Sequence, residues 1–293
     1  MNTSRFSGHG AVPASSLTVR STVGHTARGA SRRAFFGALA AATVAVASLG
    51  LPRAAHADVL ANIQKAGVVR VAIPQDFPPF GSLGPDLKLQ GYDIDMANLV
   101  AKELGVKLEL VPVTSTNRIP YLTTGKADIV ISSLGKNAER AKVIDFTQAY
   151  VPFPKSVYGP KDVAIKKPAD LQGKTIGVTR GSTEDLALTA LAPASATIKR
   201  YEDNNATAQS YLTGQVQLVT LGNIVANAVN ERTRLRQLDM KFPVEETPCF
   251  VGVAKGEEAL LQKLNTIIAK AKADGRLNEM SKRWMKMPLP ANL

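Results

Sequence analysis

Short apolar runs typical of β-strands alternate along this chain with stretches whose apolar residues recur at helical spacing. This alternation predicts parallel sheets built from α/β units. A first series ends near Phe146, and extended segments follow at 150–154 and again at 244–249, on either side of a second series. The predicted strands are 68–73, 107–113, 128–132, 174–178, 197–200, 217–221 and 250–254, and the predicted helices are 93–104, 118–124, 182–191, 204–212, 223–231, 257–273 and 277–287.

Residues 1–57 have the composition of an export signal. They contain six arginines and no acidic residue. Ser31-Arg32-Arg33-Ala34-Phe35 matches the core of a twin-arginine signal, an uncharged run extends from 34 to 51, and Ala55-His56-Ala57 is a small-residue cleavage site. The alternative is an N-terminal membrane anchor, for which this mildly apolar run is short. We therefore predict a signal peptide of residues 1–57 that is cleaved after Ala57.

The predicted mature chain, residues 58–293, lacks the groups that several kinds of chemistry need. All three histidines lie within residues 1–57, and Cys249 is the one cysteine. Catalysis by Ser-His or Cys-His pairs and zinc sites built on these residues are therefore excluded, and no metal or other cofactor is expected. Without the six arginines of the signal, the formal net charge falls from +12 to +6. We interpret this excess as a solvated basic surface and expect no nucleic-acid partner, because long basic runs and interleaved aromatic residues are absent from the sequence.

Gly91-Tyr92-Asp93-Ile94-Asp95-Met96 opens a predicted helix whose apolar residues share one face. Asp93 or Asp95 is expected at the N-cap or in the first turn. On spacing alone, this string is an ordinary amphipathic helix start. As a whole it resembles the signature of the family 3 extracellular solute-binding proteins, which are periplasmic receptors that supply amino acids and similar polar solutes to ABC importers.

The resemblance extends over essentially the whole mature chain. It implies an α/β fold with the two-lobed clamshell of type II periplasmic binding proteins and a two-segment hinge. Residues 58–149 and 250–293 would form lobe 1, and residues 150–249 would form the hinge segments and an inserted lobe 2. Such a protein would be a periplasmic monomer that binds a small ligand by lobe closure and delivers it to a permease in the inner membrane.

The resemblance also implies how lobe 1 contacts a ligand. Phe77 would pack on the ligand's carbon chain and Phe80 would lie in the core, whereas the alternative buries both rings in a core turn. Arg140 would clamp the ligand α-carboxylate with two parallel N–H donors, and the alternative is a solvated helix arginine. Many relatives carry a threonine where this chain has Gly135, so the Ser133 hydroxyl is a candidate replacement.

In lobe 2, Thr179, Gly181, Ser182 and Thr183 join a predicted strand to a predicted helix. Amides at a helix N-terminus can bind an anion, and the resemblance implies that this turn closes on the same carboxylate. Ser182 or Thr183 can also act as a simple N-cap, and both roles are compatible.

Ser115-Thr116-Asn117-Arg118-Ile119-Pro120 resembles the corresponding stretch of the glutamate/aspartate binders. Ser115 and Arg118 would then reach the ligand side chain, and an arginine there favours an acidic group. The alternative is a surface arginine at a helix start. Against an acidic ligand, the other arginine of that subgroup falls at Pro74, which has no N–H to donate.

Gly222 and Asn223 depart from the family pattern. Most amino-acid binders hold the ligand α-ammonium with an aspartate at or beside the position of Gly222. Here the ammonium must be met by Asn223, by Asp76 or by carbonyls, or else the ligand lacks one. We therefore predict a small polar or acidic amino acid or a related carboxylate.

An enzyme on the same fold is the alternative function. Cyclohexadienyl dehydratases resemble this family and use a carboxylic acid in the cleft, held among apolar groups. Glu184 and Asp76 are the acids expected near the cleft, and the sequence provides neither with an obvious apolar pocket. We therefore predict a binding protein rather than an enzyme.

Overall fold

The computed structural model describes residues 58–234, 236–291 and 293. The predicted signal peptide and its cleavage site lie outside the described residues. The described strands are β1 (Val68–Pro74), β2 (Asp76–Phe77), β3 (Gly81–Leu83), β4 (Leu89–Gln90), β5 (Lys107–Val113), β6 (Ile129–Val130), β7 (Ile144–Val151), β8 (Pro154–Gly159), β9 (Thr175–Thr179), β10 (Thr197–Tyr201), β11 (Leu218–Gly222), β12 (Asp239–Glu246) and β13 (Cys249–Ala254).

Seven of the nine α-helices that the structure describes correspond to predicted helices, whereas the first and the fourth were not predicted. The helices are α1 (Val59–Ala66), α2 (Tyr92–Leu104), α3 (Arg118–Thr123), α4 (Ala138–Val143), α5 (Thr183–Leu191), α6 (Asn204–Leu212), α7 (Asn223–Arg232), α8 (Glu258–Ala273) and α9 (Arg276–Met285), with a short 3-10 helix at Pro168–Leu171. None of the helices in the described part of the chain is long and apolar enough to span a bilayer.

Two five-stranded sheets form the framework, with the orders β5-β1-β6-β13-β7 and β10-β9-β11-β8-β12, beside a small sheet of β2, β3 and β4. In the first sheet β1 is parallel to β5 and β6, whereas β13 is antiparallel to β6 and β7. In the second, β9 is parallel to β10 and β11, whereas β8 is antiparallel to β11 and β12. The predicted parallel pairing is therefore confirmed for β5, β1 and β6 and for β10, β9 and β11, whereas β13, also a predicted strand, pairs antiparallel with both of its neighbours. The chain enters β8 and β13 through short extended segments, without the crossover helix that a parallel connection needs.

Strands β8 and β12 were not expected from the sequence, because prolines interrupt both regions. Pro154 is the first residue of β8, and Pro243 lies in β12, which is an edge strand with register shifts on both sides of that proline. Proline has no N–H to donate, so it is tolerated at a strand start and on an edge. The tertiary position of these residues therefore overrides the local signal.

Each large sheet has its own apolar core. The core of the first sheet includes Val71 of β1, Val100 of α2 and Leu264 of α8, and the core of the second includes Val178 of β9 and Leu188 of α5. Burial of such side chains stabilises each unit by roughly 1.5–3 kcal/mol per residue. The polar residues at the ends of the strands are thus held by two separately packed supports.

Gly91 fixes the start of α2. Its φ is 144°, and a Cβ there would lie 2.2 Å from the carbonyl oxygen of Phe80. The N–H groups of Tyr92 and Asp93 donate to the carbonyls of Pro79 and Phe80. Only glycine fits this approach, so the signature string begins with a steric requirement. Asp93 and Asp95 lie in the first turn, and the N-cap is Gly91 itself.

Candidate functional site

The loops of the two sheets meet around a cavity of about 10 Å³. The residues that line it are Phe77, Ser115, Arg118, Ser133, Phe153, Ser182, Glu184 and Asn204. This volume holds about one water molecule, so these walls must move apart to admit an amino acid. A larger groove of about 460 Å³ runs along α2 and α9, but none of the predicted site residues lines it.

Arg118 is buried at the start of α3, so its interpretation as a surface residue is wrong. Its side chain is 4% exposed, and Nη1 donates to the carbonyl of Ser132 at 2.5 Å. Its Nε has no hydrogen-bond partner among the described residues. Burial lowers the pKa of Arg118, and the carboxylate of Glu184 opposes that shift. A buried donor left unpaired costs about 1–3 kcal/mol, so an acceptor that enters the cavity beside Nε would be stabilised.

Arg140 is also buried and connects the two halves of the site. Its Nη1 donates to the carbonyl of Gly135 at 2.7 Å, and its Nη2 donates to the carbonyl of Gly181 at 2.9 Å. It borders the cavity lining without belonging to it. Burial, and secondarily the charge of Arg118, lower the pKa of Arg140 to about 9. The group therefore remains cationic near neutral pH, in surroundings that favour an added anion.

Glu184 lies in the first turn of α5 and lines the same cavity as Phe77 and Phe153. Its side chain is buried, and Oε2 accepts a hydrogen bond from the Thr183 hydroxyl at 3.2 Å. Within the described residues, Glu184 is in no direct ion pair, although its charge acts on both Arg118 and Arg140. The sequence suggested Glu184 only as a candidate catalytic acid, and its aromatic surroundings were not expected.

Gly222 and Asn223 do not reach the cavity. A Cβ at Gly222 would lie 2.1 Å from Cε2 of Phe153, so the aromatic ring fills the space that a side chain there would need. Asn223 Oδ1 accepts hydrogen bonds from the hydroxyls of Ser156 and Tyr158, and its Nδ2 faces the sulfur of Met240. Phe153 is a site residue that the sequence analysis missed. It lies within the proline-containing crossing at 150–154, whose sequence gave no sign of a cavity residue.

Several contacts join the two halves directly. Asp76, the first residue of β2, accepts hydrogen bonds from the backbone and side-chain nitrogens of Asn204, the first residue of α6. Burial raises the pKa of Asp76, and the two bonds from Asn204 oppose this. A Cβ at Gly135 would lie 2.8 Å from Cγ2 of Thr183. The glycine at this position thus permits the close approach of the two loops.

Several polar groups of the predicted anion-binding turn are hydrogen-bonded within the protein in this conformation. The Gly181 N–H donates to Asp185, and the Ser182 hydroxyl caps α5 by accepting from the Asp185 N–H. The Thr179 hydroxyl bonds Asn204 and Thr207 rather than facing the cavity. The capping role of Ser182 is therefore confirmed, and its role towards a ligand stays a prediction.

Asp93 does not line the cavity, but it holds a residue that does. Its carboxylate accepts hydrogen bonds from the Ser133 N–H and from the Tyr150 hydroxyl, both at 2.7 Å. Ser133 has a φ of 41°, which is unusual for a residue with a side chain. Burial raises the pKa of Asp93 to about 7, against the lowering effects of these two bonds and of Arg118. Asp93 thus positions Ser133 at the cavity and ties it to the crossing segment that contains Tyr150.

Asp93 is expected to make stability depend on pH near neutrality. Its pKa in the folded protein, about 7, is above the ordinary value of 3.8. Between pH 3.8 and pH 7, the folded protein therefore retains a proton that the unfolded chain has released. As pH rises towards 7, the wild type should lose stability relative to Asp93→Asn, by up to roughly 1.4 kcal/mol per pH unit. Urea unfolding of both proteins from pH 5 to pH 8 measures this difference. Asp86→Asn, at an exposed acid, is the control, and parallel curves for wild type and Asp93→Asn would contradict the expectation.

Comparison with known proteins identifies the fold and the family. The sequence profile of the bacterial extracellular solute-binding proteins, family 3, matches residues 69–287. The chain belongs to this family. The ABC transporter glutamine-binding protein GlnH of Bacillus subtilis (strain 168) is 29% identical over 234 residues, which are 78% of this chain and 85% of that protein.

Solved structures agree with this assignment. An ancestral arginine-binding protein bound to arginine superposes with a TM-score of 0.71 at 32% identity, covering 74% of this chain and 98% of its own. The ancestral amino acid-binding protein AncCDT-1, a precursor of cyclohexadienyl dehydratase, gives 0.70 at 30% identity, with 77% and 98% coverage. The protein is therefore a two-lobed solute-binding protein of the amino-acid ABC transporter family.

Proposed function

We propose that this protein is the periplasmic binding component of an ABC importer and that it closes its lobes on an acidic amino acid or a related small carboxylate. The observation that carries the ligand class is the cavity-lining guanidinium of Arg118, which is buried with an unpartnered Nε. Arg140 supplies a second buried guanidinium beside it. Two carboxylates on one ligand would match these two cations.

The ligands named for relatives include glutamine and arginine. An arginine side chain would bring a third guanidinium towards Arg118 and Arg140, where like charges in a low-dielectric site repel each other. Glutamine could accept a hydrogen bond from Arg118 but would bring no second negative charge. An acidic side chain therefore fits the described charges best.

Ligand-driven closure requires contacts that exist only in the closed state. A ligand that binds the open and closed states equally does not shift the equilibrium between them. Arg140, Asp76 and Gly135 contact the opposite half in the described conformation, and we infer that these contacts form only on closure. We infer that the ligand carboxylate replaces the Gly181 carbonyl at Arg140 and that the remaining contacts hold the lobes together. The permease would then recognise the closed form.

A thermal-shift screen of amino acids and dicarboxylates tests the ligand class. L-glutamate or L-aspartate should raise the melting temperature most, because a ligand at 100 times its dissociation constant adds about 2.7 kcal/mol. The screen should include glutamine, arginine and cystine at the same concentrations. A larger shift with any of these than with both acidic amino acids would contradict the acidic assignment.

Arg118→Ala should shrink the preference for L-glutamate over L-glutamine. The guanidinium favours an acidic group through a charge-assisted hydrogen bond, which contributes about 1.5–3 kcal/mol. The ratio of the two dissociation constants, measured by calorimetry, should therefore fall by roughly 10- to 150-fold. Arg180→Ala, which removes an exposed cation, is the matched control. An unchanged ratio in Arg118→Ala would remove Arg118 from the ligand site.

We further propose export through the twin-arginine route, based on Arg32-Arg33 and Ala55-His56-Ala57. Replacing both arginines with lysine should leave precursor in the cytoplasm, as followed by fractionation and N-terminal sequencing. A mature protein that begins at Asp58 and appears in the periplasm at the normal rate would contradict this route.

The dehydratase alternative has one observation in its favour, because Glu184 shares its cavity with Phe77 and Phe153. The relatives described by name are binding proteins, and binding is the function we propose. Incubation with prephenate and arogenate, followed by chromatography, separates the two functions. Turnover that is lost in Glu184→Gln would establish the enzyme instead.

A further inference from the structure

The space at position 222 is closed to an acidic side chain in this protein. The Phe153 ring lies where a Cβ at Gly222 would have to stand. Phe153 is itself fixed by edge-to-face packing on Phe77 and Phe80, at centroid distances of 6.0 and 5.2 Å, and by the ammonium of Lys155, 5.1 Å from its ring centre. The ring is thus a packed part of the wall, so a ligand amine meets no carboxylate from that direction.

The other groups near this position already have partners. The Asn223 carbonyl oxygen accepts two hydroxyl hydrogen bonds, and its amide nitrogen could only repel a cation. Asp76 is committed to the two nitrogens of Asn204 at 2.6 and 3.2 Å. Neither group is free to receive an ammonium without breaking these bonds, and the bonds of Asp76 also join the two halves of the protein.

Glu184 is the remaining carboxylate on the cavity wall. It is 6% exposed, and its one described side-chain hydrogen bond comes from the Thr183 hydroxyl. A buried carboxylate without a direct cationic partner is costly unless charge and hydrogen bonds compensate it. An ammonium in the cavity would provide both. On the assumption that the proposed function is correct, we propose that Glu184 binds the ligand α-ammonium and replaces the acid that Gly222 lacks.

This assignment changes which part of the protein recognises the amine. Glu184 is in the first turn of α5, immediately after the turn whose Gly181 carbonyl contacts Arg140. The α-ammonium and the carboxylate of the ligand would then both be bound near the start of α5, and Phe153 would form an apolar wall of the site. A ligand without the amine would leave Glu184 buried and unpaired, so the site would discriminate against simple dicarboxylates.

Calorimetry on wild type, Glu184→Gln and Glu202→Gln tests the assignment. The probes are L-glutamate and L-aspartate, each paired with its des-amino analogue, glutarate or succinate. Glu184→Gln should weaken binding of the amino acids at least about 30-fold, as for loss of one partner in a buried charge pair. Binding of glutarate and succinate should stay unchanged or become tighter, because the variant removes the carboxylate that these ligands leave unpaired. Glu202→Gln, which removes an exposed acid, should change neither. An equal loss for both ligand types, or no loss for the amino acids, would overturn the assignment.

A melting curve of each variant shows whether it folds, and Glu184→Asp provides a second variant that retains the charge. Glu184→Asp should keep a preference for the amino acid over its des-amino analogue, and loss of that preference would count against the proposal. If wild type binds glutarate as tightly as L-glutamate, the role of Glu184 is overturned while the acidic ligand class survives. If wild type binds only glutamine or arginine, the ligand class falls. The same comparison between that amino acid and its des-amino analogue then decides the role of Glu184.

Discussion

Replacing Arg140 with alanine is expected to weaken binding of the best ligand roughly 30- to 4,000-fold. Loss of one member of a buried, hydrogen-bonded charge pair typically costs about 2–5 kcal/mol, and each 1.4 kcal/mol is tenfold. In the described conformation, Arg140 also bonds the carbonyls of Gly135 and Gly181. The ligand carboxylate would take the place of the Gly181 carbonyl, so the variant should lose the guanidinium that holds this carboxylate.

Three comparisons make the Arg140 result specific. Arg140→Lys should recover only part of the affinity, because an ammonium cannot make two parallel bonds to a carboxylate. Lys142→Ala removes an exposed cation from the same helix, and its affinity should match the wild type. Thermal melting without ligand should change little for any of the three variants. A loss below threefold in Arg140→Ala, with an unchanged melt, would show that the carboxylate is held elsewhere.

Gly135→Ala is expected to weaken ligand binding by roughly 5- to 150-fold through steric obstruction of closure. The added Cβ would lie 2.8 Å from Cγ2 of Thr183, well inside van der Waals contact. Overpacking of this kind typically costs about 1–3 kcal/mol. The cost arises only when the two loops approach each other, so it should appear in ligand affinity and in the compactness of the liganded protein measured by X-ray scattering.

Removal of the Thr183 methyl group, Cγ2, should restore ligand binding to Gly135→Ala. Thr183→Ser removes Cγ2 but retains the hydroxyl that donates to Glu184, so the double variant should recover most of the affinity. Thr183→Ser alone should bind within a few-fold of wild type. If the double variant binds as weakly as Gly135→Ala, the obstruction is not at Thr183, and the close approach of these loops does not limit closure.

Much of the local structure could be predicted from the sequence, because it depends on neighbouring residues. Strand β5 and helix α6 have the predicted limits, and α2 begins one residue before the predicted start. Gly91 and the acids after it specify that start through short-range sterics and first-turn charge. The strands β8 and β12 were not predicted, because the prolines in these regions indicate an interruption rather than a strand.

The composition of the site was only partly predictable. The motif around Arg118 identified a residue that does line the cavity, along with Phe77, Ser115, Ser133 and Ser182. The resemblance to the family also predicted that Gly222 stands where most amino-acid binders have an acid. The sequence gave no indication of Phe153, and it left Arg118 undecided between surface and site.

Only the tertiary structure decided what stands in place of that acid. Phe153 and Gly222 belong to different segments, and β8 and β11 bring them together by antiparallel pairing. Glu184 faces the same cavity because α5 begins there, and Asn223 turns away because Ser156 and Tyr158 hold it. A sequence pattern reports the preferences of a residue and its near neighbours. The direction of these side chains depends on which distant groups fill the space around them, and packing settles that only when the whole chain is folded.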